Sequence, residues 1–94
     1  MRVLTKFFAA LREITDKREE NLQLPSESTV RDFLNELVKM YGDRLSSYLF
    51  DEKGQIREYL SILLNGQALD TSKLESIKLK DGDVIVILPP IGGG

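Results

Sequence analysis

The sequence predicts an α+β protein, a mixed four- to five-stranded sheet packed on one long helix. Three observations predict it. One segment carries a clean helical apolar period. Several others are short runs of β-branched and aromatic residues. The chain has 94 residues, enough for one domain with one small core. In so short a chain, the apolar stripe of a helix has only a sheet to bury against.

Val3-Leu4-Thr5-Lys6-Phe7-Phe8 reads as the first strand. Lys6 points to solvent, so period-two alternation places Val3, Thr5 and Phe7 on the core face. Leu4 and Phe8 then share the outer face with Lys6. Ala9 to Glu13 reads as a helical turn or short helix, and Arg18 to Leu24 as a second strand with Leu22 and Leu24 inward. Pro25 ends that strand, because proline has no N–H for the ladder.

Val30, Phe33, Leu34, Leu37, Val38 and Tyr41 fall at i, i+3, i+4, i+7, i+8 and i+11, one stripe of a helix over Val30–Tyr41. Thr29 fits the N-cap, with Asp32 at the third helical position completing a capping-box-like pair. Gly42 fits the residue after the helix. Leu45, Tyr48 and Leu49 have the spacing of a short helix, and Asp51-Glu52-Lys53-Gly54 is a turn. Tyr59 to Leu64 is the next strand, turned by Asn65-Gly66 into a short return around Gln67–Leu69. Leu74, Ile77 and Leu79 tuck against the core, and Lys80-Asp81-Gly82-Asp83 forms another turn. Val84 to Leu88 is apolar throughout, the pattern of a central strand covered on both faces, and Pro89-Pro90 stops it.

Composition narrows the chemistry. There are 13 basic and 15 acidic side chains, for a formal net charge of −2, which argues against a nucleic-acid footprint. The absence of Cys removes disulfides, thiolate nucleophiles and Cys-type zinc sites. The absence of His removes the commonest general base and metal ligand. No run approaches the ~20 apolar residues of a membrane span, and the start lacks the pattern of a signal peptide. The expectation is a cytoplasmic protein that binds no nucleic acid, membrane, cofactor or metal. The acidic pairs Glu19-Glu20, Asp51-Glu52 and Asp81/Asp83 read as solvated charges or turn residues, since none has the ligand spacing of a calcium loop.

The informative feature is the ending, Leu88-Pro89-Pro90-Ile91-Gly92-Gly93-Gly94. Residues 1–90 read as the folded domain and 91–94 as a flexible glycine tail. Two prolines stiffen the exit from the last strand. Three glycines make a tail thin enough for a narrow tunnel. Its reactive group is the α-carboxylate of Gly94. A carboxylate resists nucleophiles until ATP converts it to an acyl-adenylate. A sulfur nucleophile then displaces AMP and leaves a thiocarboxylate, which can deliver sulfur elsewhere. This chemistry asks no Cys, His or metal of the carrier.

Phe7-Phe8-Ala9-Ala10-Leu11-Arg12-Glu13, Leu64-Asn65-Gly66, Lys80-Asp81-Gly82-Asp83-Val84 and the Pro-Pro-x-x-Gly-Gly ending occur in this order. Together they resemble the small subunit of molybdopterin synthase, of the MoaD/ThiS ubiquitin-like sulfur-carrier family. The resemblance covers essentially the whole chain. It implies a ubiquitin-like β-grasp fold. It implies that Gly94 is adenylated by a ubiquitin-activating-type enzyme, which consumes the ATP, and becomes a thiocarboxylate. The large synthase subunit then accepts the tail, and sulfur passes to the pterin precursor of the molybdenum or tungsten cofactor. The chain would be a carrier subunit, not an enzyme in its own right. By the same resemblance Phe8 and Leu88 contact both partners; Pro89, Pro90 and Ile91 are expected to bind partners too, with Gly92 and Gly93 as the tail before Gly94. The long stretches Asp43–Tyr59 and Leu69–Leu79, and the extra Gly92, depart from shorter family members. Three other readings stand beside this one. They are a protein modifier joined to lysines through Gly94, a carrier for thiamine thiazole synthesis or tRNA thiolation, and a ubiquitin-like interaction domain without chemistry. The thiamine carriers are usually shorter and lack the Phe-Phe-Ala start.

Overall fold

The computed structural model describes residues 1–90. The elements in chain order are β1 (Arg2–Lys6), α1 (Ala9–Thr15), β2 (Glu19–Gln23), α2 (Val30–Tyr41), α3 (Asp43–Leu49), β3 (Ser61–Leu64), β4 (Gln67–Ala68) and β5 (Val84–Leu88), with a 3₁₀ turn at Leu74–Ser76. The five strands form one mixed sheet in the order β2-β1-β5-β3-β4. β1 and β5 run parallel, and every other pair is antiparallel. This is the ubiquitin-like β-grasp, with one sheet face covered by helices and the other open.

Helix α2 has the expected bounds because its signals agree. Asp32 N donates to Thr29 Oγ1 at 3.2 Å, and Thr29 N donates to Asp32 Oδ2 at 2.9 Å, which completes the capping box. Val30, Phe33, Leu34 and Leu37 are fully buried, each worth about 1.5–3 kcal/mol of transfer free energy. Gly42 ends the helix at φ 79° and ψ −157°, a region open essentially to glycine. That geometry starts α3 at the next residue.

Two corrections follow. The helical layer is not one long helix: α1 and α3 join α2 in it. Leu11 and Thr15 on α1, and Leu45 and Leu49 on α3, each four residues apart, supply the buried sides. Both short helices are expected from the sequence; what it does not give is that they pack in one layer with α2, since each has only two buried positions. The other correction concerns β5. Ile85 and Ile87 are buried, but Val84, Val86 and Leu88 are only half-buried on the open face. An all-apolar run reads as doubly covered; here nothing among the described residues covers the second side.

Element ends also shift. β1 stops at Lys6, and Phe8 is the N-cap residue of α1 rather than a strand residue. β3 starts at Ser61, leaving Tyr59 outside it. The stretch between α3 and β3 is folded against α2. The Arg31 guanidinium lies 4.4 Å over the Phe50 ring, and its Nη1 donates to the Gly54 carbonyl at 2.8 Å. Asp51 Oδ1 accepts from the backbone N–H groups of Lys53 and Gln55, closing the turn.

Of the acidic residues, Glu20 departs from the solvated-charge expectation. Its Oε1 accepts from Lys17 Nζ at 2.8 Å and from Tyr41 Oη at 2.6 Å, while the Tyr41 ring packs edge-on against Phe7. The Lys17 hydrogen bond first, then that of Tyr41, holds the Glu20 carboxyl below its ordinary range. A depressed folded pKa contributes stability above the unfolded value of roughly 4.3 and loses it as pH falls through the folded value. Glu20→Gln is therefore expected to lower stability at neutral pH. It should also flatten the acid limb, so that the two unfolding curves converge as pH falls through the depressed Glu20 value in urea titrations. Parallel curves from pH 7 to pH 3 would contradict this.

Thr5 is fully buried between β2 and β5, and its Oγ1 has no hydrogen-bond partner among the described residues. An unpaired buried hydroxyl costs about 1–3 kcal/mol. Thr5→Val keeps the shape and removes that cost. The expected gain is about 1 kcal/mol, read as a higher urea midpoint at unchanged m-value.

Candidate functional site

The site begins with the placement of β5. It lies between β1 and β3, with Leu4, Thr5 and Lys6 opposite Val84, Ile85 and Val86, and Ser61 opposite Leu88. The turn before it fixes its start. Arg2 N donates to Asp81 Oδ1 at 2.7 Å, Gly82 N to the Arg2 carbonyl at 2.8 Å, and Leu4 N to the Asp83 carbonyl at 3.0 Å. Gly82 takes φ 87°, which glycine adopts without strain. Asn65 adds the other side: its Oδ1 accepts from Val84 N at 2.9 Å and its Nδ2 donates to Asp83 Oδ1 at 3.0 Å. Asn65-Gly66, with φ of 50° and 86°, has both residues in the left-handed region of a tight hairpin turn. The Asn-Gly and Asp-Gly-Asp motifs are thus structural, joining three strands at the end of the sheet where β5 enters.

At the opposite end β5 delivers Leu88, Pro89 and Pro90. Leu88 and Pro89 are half-buried and Pro90 is exposed. Phe8 stands at the same end, since it follows β1 by two residues and Lys6 is level with Val86. Its backbone is extended, at φ −131° and ψ 156°. The next residue, Ala9, takes φ 49°, a left-handed turn that costs a non-glycine residue about 1–2 kcal/mol. This turn leads the chain from the strand end into α1. Phe7 is buried and Phe8 is 38% exposed, with the Arg12 guanidinium 6.0 Å from its ring centre. Phe8, Leu88, Pro89 and Pro90 therefore occupy one end of the sheet. Ile91, Gly92, Gly93 and Gly94 lie outside the described residues.

Strand register reveals a surface the sequence reading missed. Leu4, Val84, Val86, Leu63 and Leu88 share the open face and are all half-buried, with Lys6 exposed among them. The missed signal lay in the neighbours of β5: Lys6 opposite Val86 and Ser61 opposite Leu88 are polar, as an open face requires. This apolar face runs up to the point where the chain leaves the sheet. It can bind an apolar partner surface. Among the described residues, no group of three or more His, Cys, Asp or Glu side chains could hold a metal ion. No helix among them is long and apolar enough to cross a membrane.

Comparison with known proteins agrees with this geometry. The sequence pattern of the ThiS family matches residues 5–94. Small archaeal modifier protein 3 of Haloferax volcanii is 29% identical over 94 residues, covering 100% of both chains. The molybdopterin synthase sulfur carrier subunit of Drosophila yakuba is 33% identical over 88 residues, covering 94% of this chain and 86% of its own. The crystal structure of SAMP1 from Haloferax volcanii superposes with a TM-score of 0.87 at 29% identity, covering 100% of each chain. A family match spanning nearly the whole chain, on the β-grasp fold described above, places this protein in the ThiS family of ubiquitin-like sulfur carriers.

Proposed function

We propose that this chain is the sulfur carrier subunit of a molybdopterin synthase. The observation that carries the proposal is the run of β5 out of the sheet centre through Pro89-Pro90, beside an open apolar face with Phe8 at its edge. The sequence then continues to Gly92-Gly93-Gly94. The likeness to the Drosophila yakuba sulfur carrier subunit supports this acceptor.

In this reading the Gly94 carboxylate attacks the α-phosphorus of ATP on a ubiquitin-activating-type enzyme and releases pyrophosphate. A sulfur nucleophile such as hydrosulfide adds to the acyl-adenylate carbonyl and expels AMP, leaving the Gly94 thiocarboxylate and a proton. The large synthase subunit takes the tail, and sulfur passes to the pterin precursor. The carrier supplies a rigid base and a docking face, while ATP is bound by its partner. Ordering three glycines costs about 3–6 kcal/mol, which a tail without side chains recovers poorly. Affinity must therefore come from Phe8, Leu88 and the open face.

A second reading has its own support. A relative aligned over 100% of both chains is a small archaeal modifier protein. There the same adenylated Gly94 would form an isopeptide with a lysine. Carriage of sulfur to tRNA would use the same thiocarboxylate and a different acceptor.

The test is the intact mass of the chain after incubation with the adenylating enzyme, ATP and sulfide. Replacement of one oxygen by sulfur at Gly94, dependent on ATP, is the expected result. Lysine conjugates through Gly94 without sulfur transfer to a pterin precursor would favour the modifier reading. Removing Gly94 is expected to abolish thiocarboxylate formation while partner binding stays within about threefold, because the globular face supplies the affinity. Unchanged sulfur transfer by the shortened chain would overturn the mechanism. Phe8→Asp should weaken partner binding about 30-fold, or ~2 kcal/mol, with little change in thermal midpoint. Calorimetric titration and a melting curve check the two halves of that statement.

A further inference from the structure

A second surface flanks the exit from the sheet, on the helical side. It is a shallow groove between α1, α3 and the segment entering β3, lined by Ile14, Asp43, Arg44, Ser47, Tyr48, Arg57 and Tyr59. Tyr59 is 50% exposed, more than Phe8. It precedes Ser61, which pairs with Leu88, so Phe8 and Tyr59 stand on opposite sides of the β5 end. Arg57 Nε donates to the Ser47 carbonyl at 3.0 Å, which fixes the guanidinium. Its Nη groups have no hydrogen-bond partner among the described residues, and Arg44 makes neither a side-chain hydrogen bond nor an ion pair there. Asp43 is the one carboxylate of the lining. The groove is thus net positive on a chain whose formal charge is −2. Among those residues Arg44 has no ion pair, and Arg57, held through its Nε, feels only the nearby Asp51 charge; set beside a half-buried and an exposed tyrosine, they suit carboxylates next to an aliphatic side chain.

We infer that this groove is a second docking surface, separate from the open sheet face, and that it receives an acidic, aliphatic-bearing segment of the adenylating enzyme; the identity of that partner rests on the sulfur-carrier reading. A protein that grips a thin tail has to surround the point where it emerges. Phe8 then anchors it on one side, and the Tyr59 and Arg44 groove on the other. The groove carries charge where the sheet face is mostly apolar, so it contributes the salt-sensitive part of recognition.

The test is ATP–pyrophosphate exchange by the adenylating enzyme, with the chain as varied substrate at low and high salt. Arg44→Glu reads the groove without removing a contact that the fold uses. It should raise KM about tenfold at low salt with kcat unchanged, and the gap should narrow at high salt. Arg44→Lys should stay within about threefold, because it keeps the charge. Tyr59→Ser, which removes the exposed ring, should also raise KM. An unchanged KM for Arg44→Glu and Tyr59→Ser, with KM raised by Phe8→Asp, would overturn the groove and leave the proposed function standing. Self-association of the unaltered chain in sedimentation, lost in Arg44→Glu, would put a second copy in the groove and also overturn it. Failure of the unaltered chain to support any exchange would overturn the proposed function, and this inference with it.

Discussion

Strand β5 is hydrogen-bonded along both edges, parallel to β1 and antiparallel to β3, and the rest of the molecule is arranged around that double pairing. It sets the register that turns Val84, Val86 and Leu88 to the open face and Ile85 and Ile87 to the core. It also sets where the chain leaves the sheet. A strand at an edge could slip or peel; one held on both sides can do neither without breaking two ladders. Helix α2 contributes by covering the inner face, and it buries Val30, Phe33, Leu34 and Leu37 where α1 and α3 bury two residues each.

On the carrier reading proposed above, the open face and the charges beside it contribute differently to recognition. Burial of Leu4, Val86 and Leu88 against a partner is non-directional and scales with area. Lys6 within it and Arg12 beside Phe8 add direction, because a partner must place acidic or aromatic groups to suit them. Small carriers on one fold can thus be sorted among partners by a few charges around a common apolar patch. The core would not need to change.

Much of the fold was legible because local and global signals agree. Thr29, Asp32, the Val30–Tyr41 stripe and Gly42 all specify the same helix. Lys6 alone was enough to orient β1 correctly. The rest depended on facts that exist only after strands pair. Nothing in Val84 to Leu88 says which side is covered, since both sides are apolar. The answer comes from Lys6 and Ser61 across the ladder, far away in sequence. Glu20 reads as solvated from sequence because Tyr41, the partner that draws it in, is 21 residues away. At the candidate site, Phe8 and the prolines are visible as motif residues, whereas Leu63 joins them only through β3–β5 register. The groove at Arg44 had no sequence signal, because an arginine on a short helix looks the same whether or not it has a partner.

The anchoring of β5 at its entry has a mechanical consequence. Asn65, Asp81 and Asp83 fasten the end of the strand farthest from Pro89. A pull applied beyond Pro90 acts along the strand axis, against the hydrogen bonds on both edges. Such a load is a shear, borne by all of those bonds together, and it ends at a knot of side-chain ties. A pull across the sheet would instead open the bonds one at a time. A strand loaded from its end is best held in the first way, and β5 is held so.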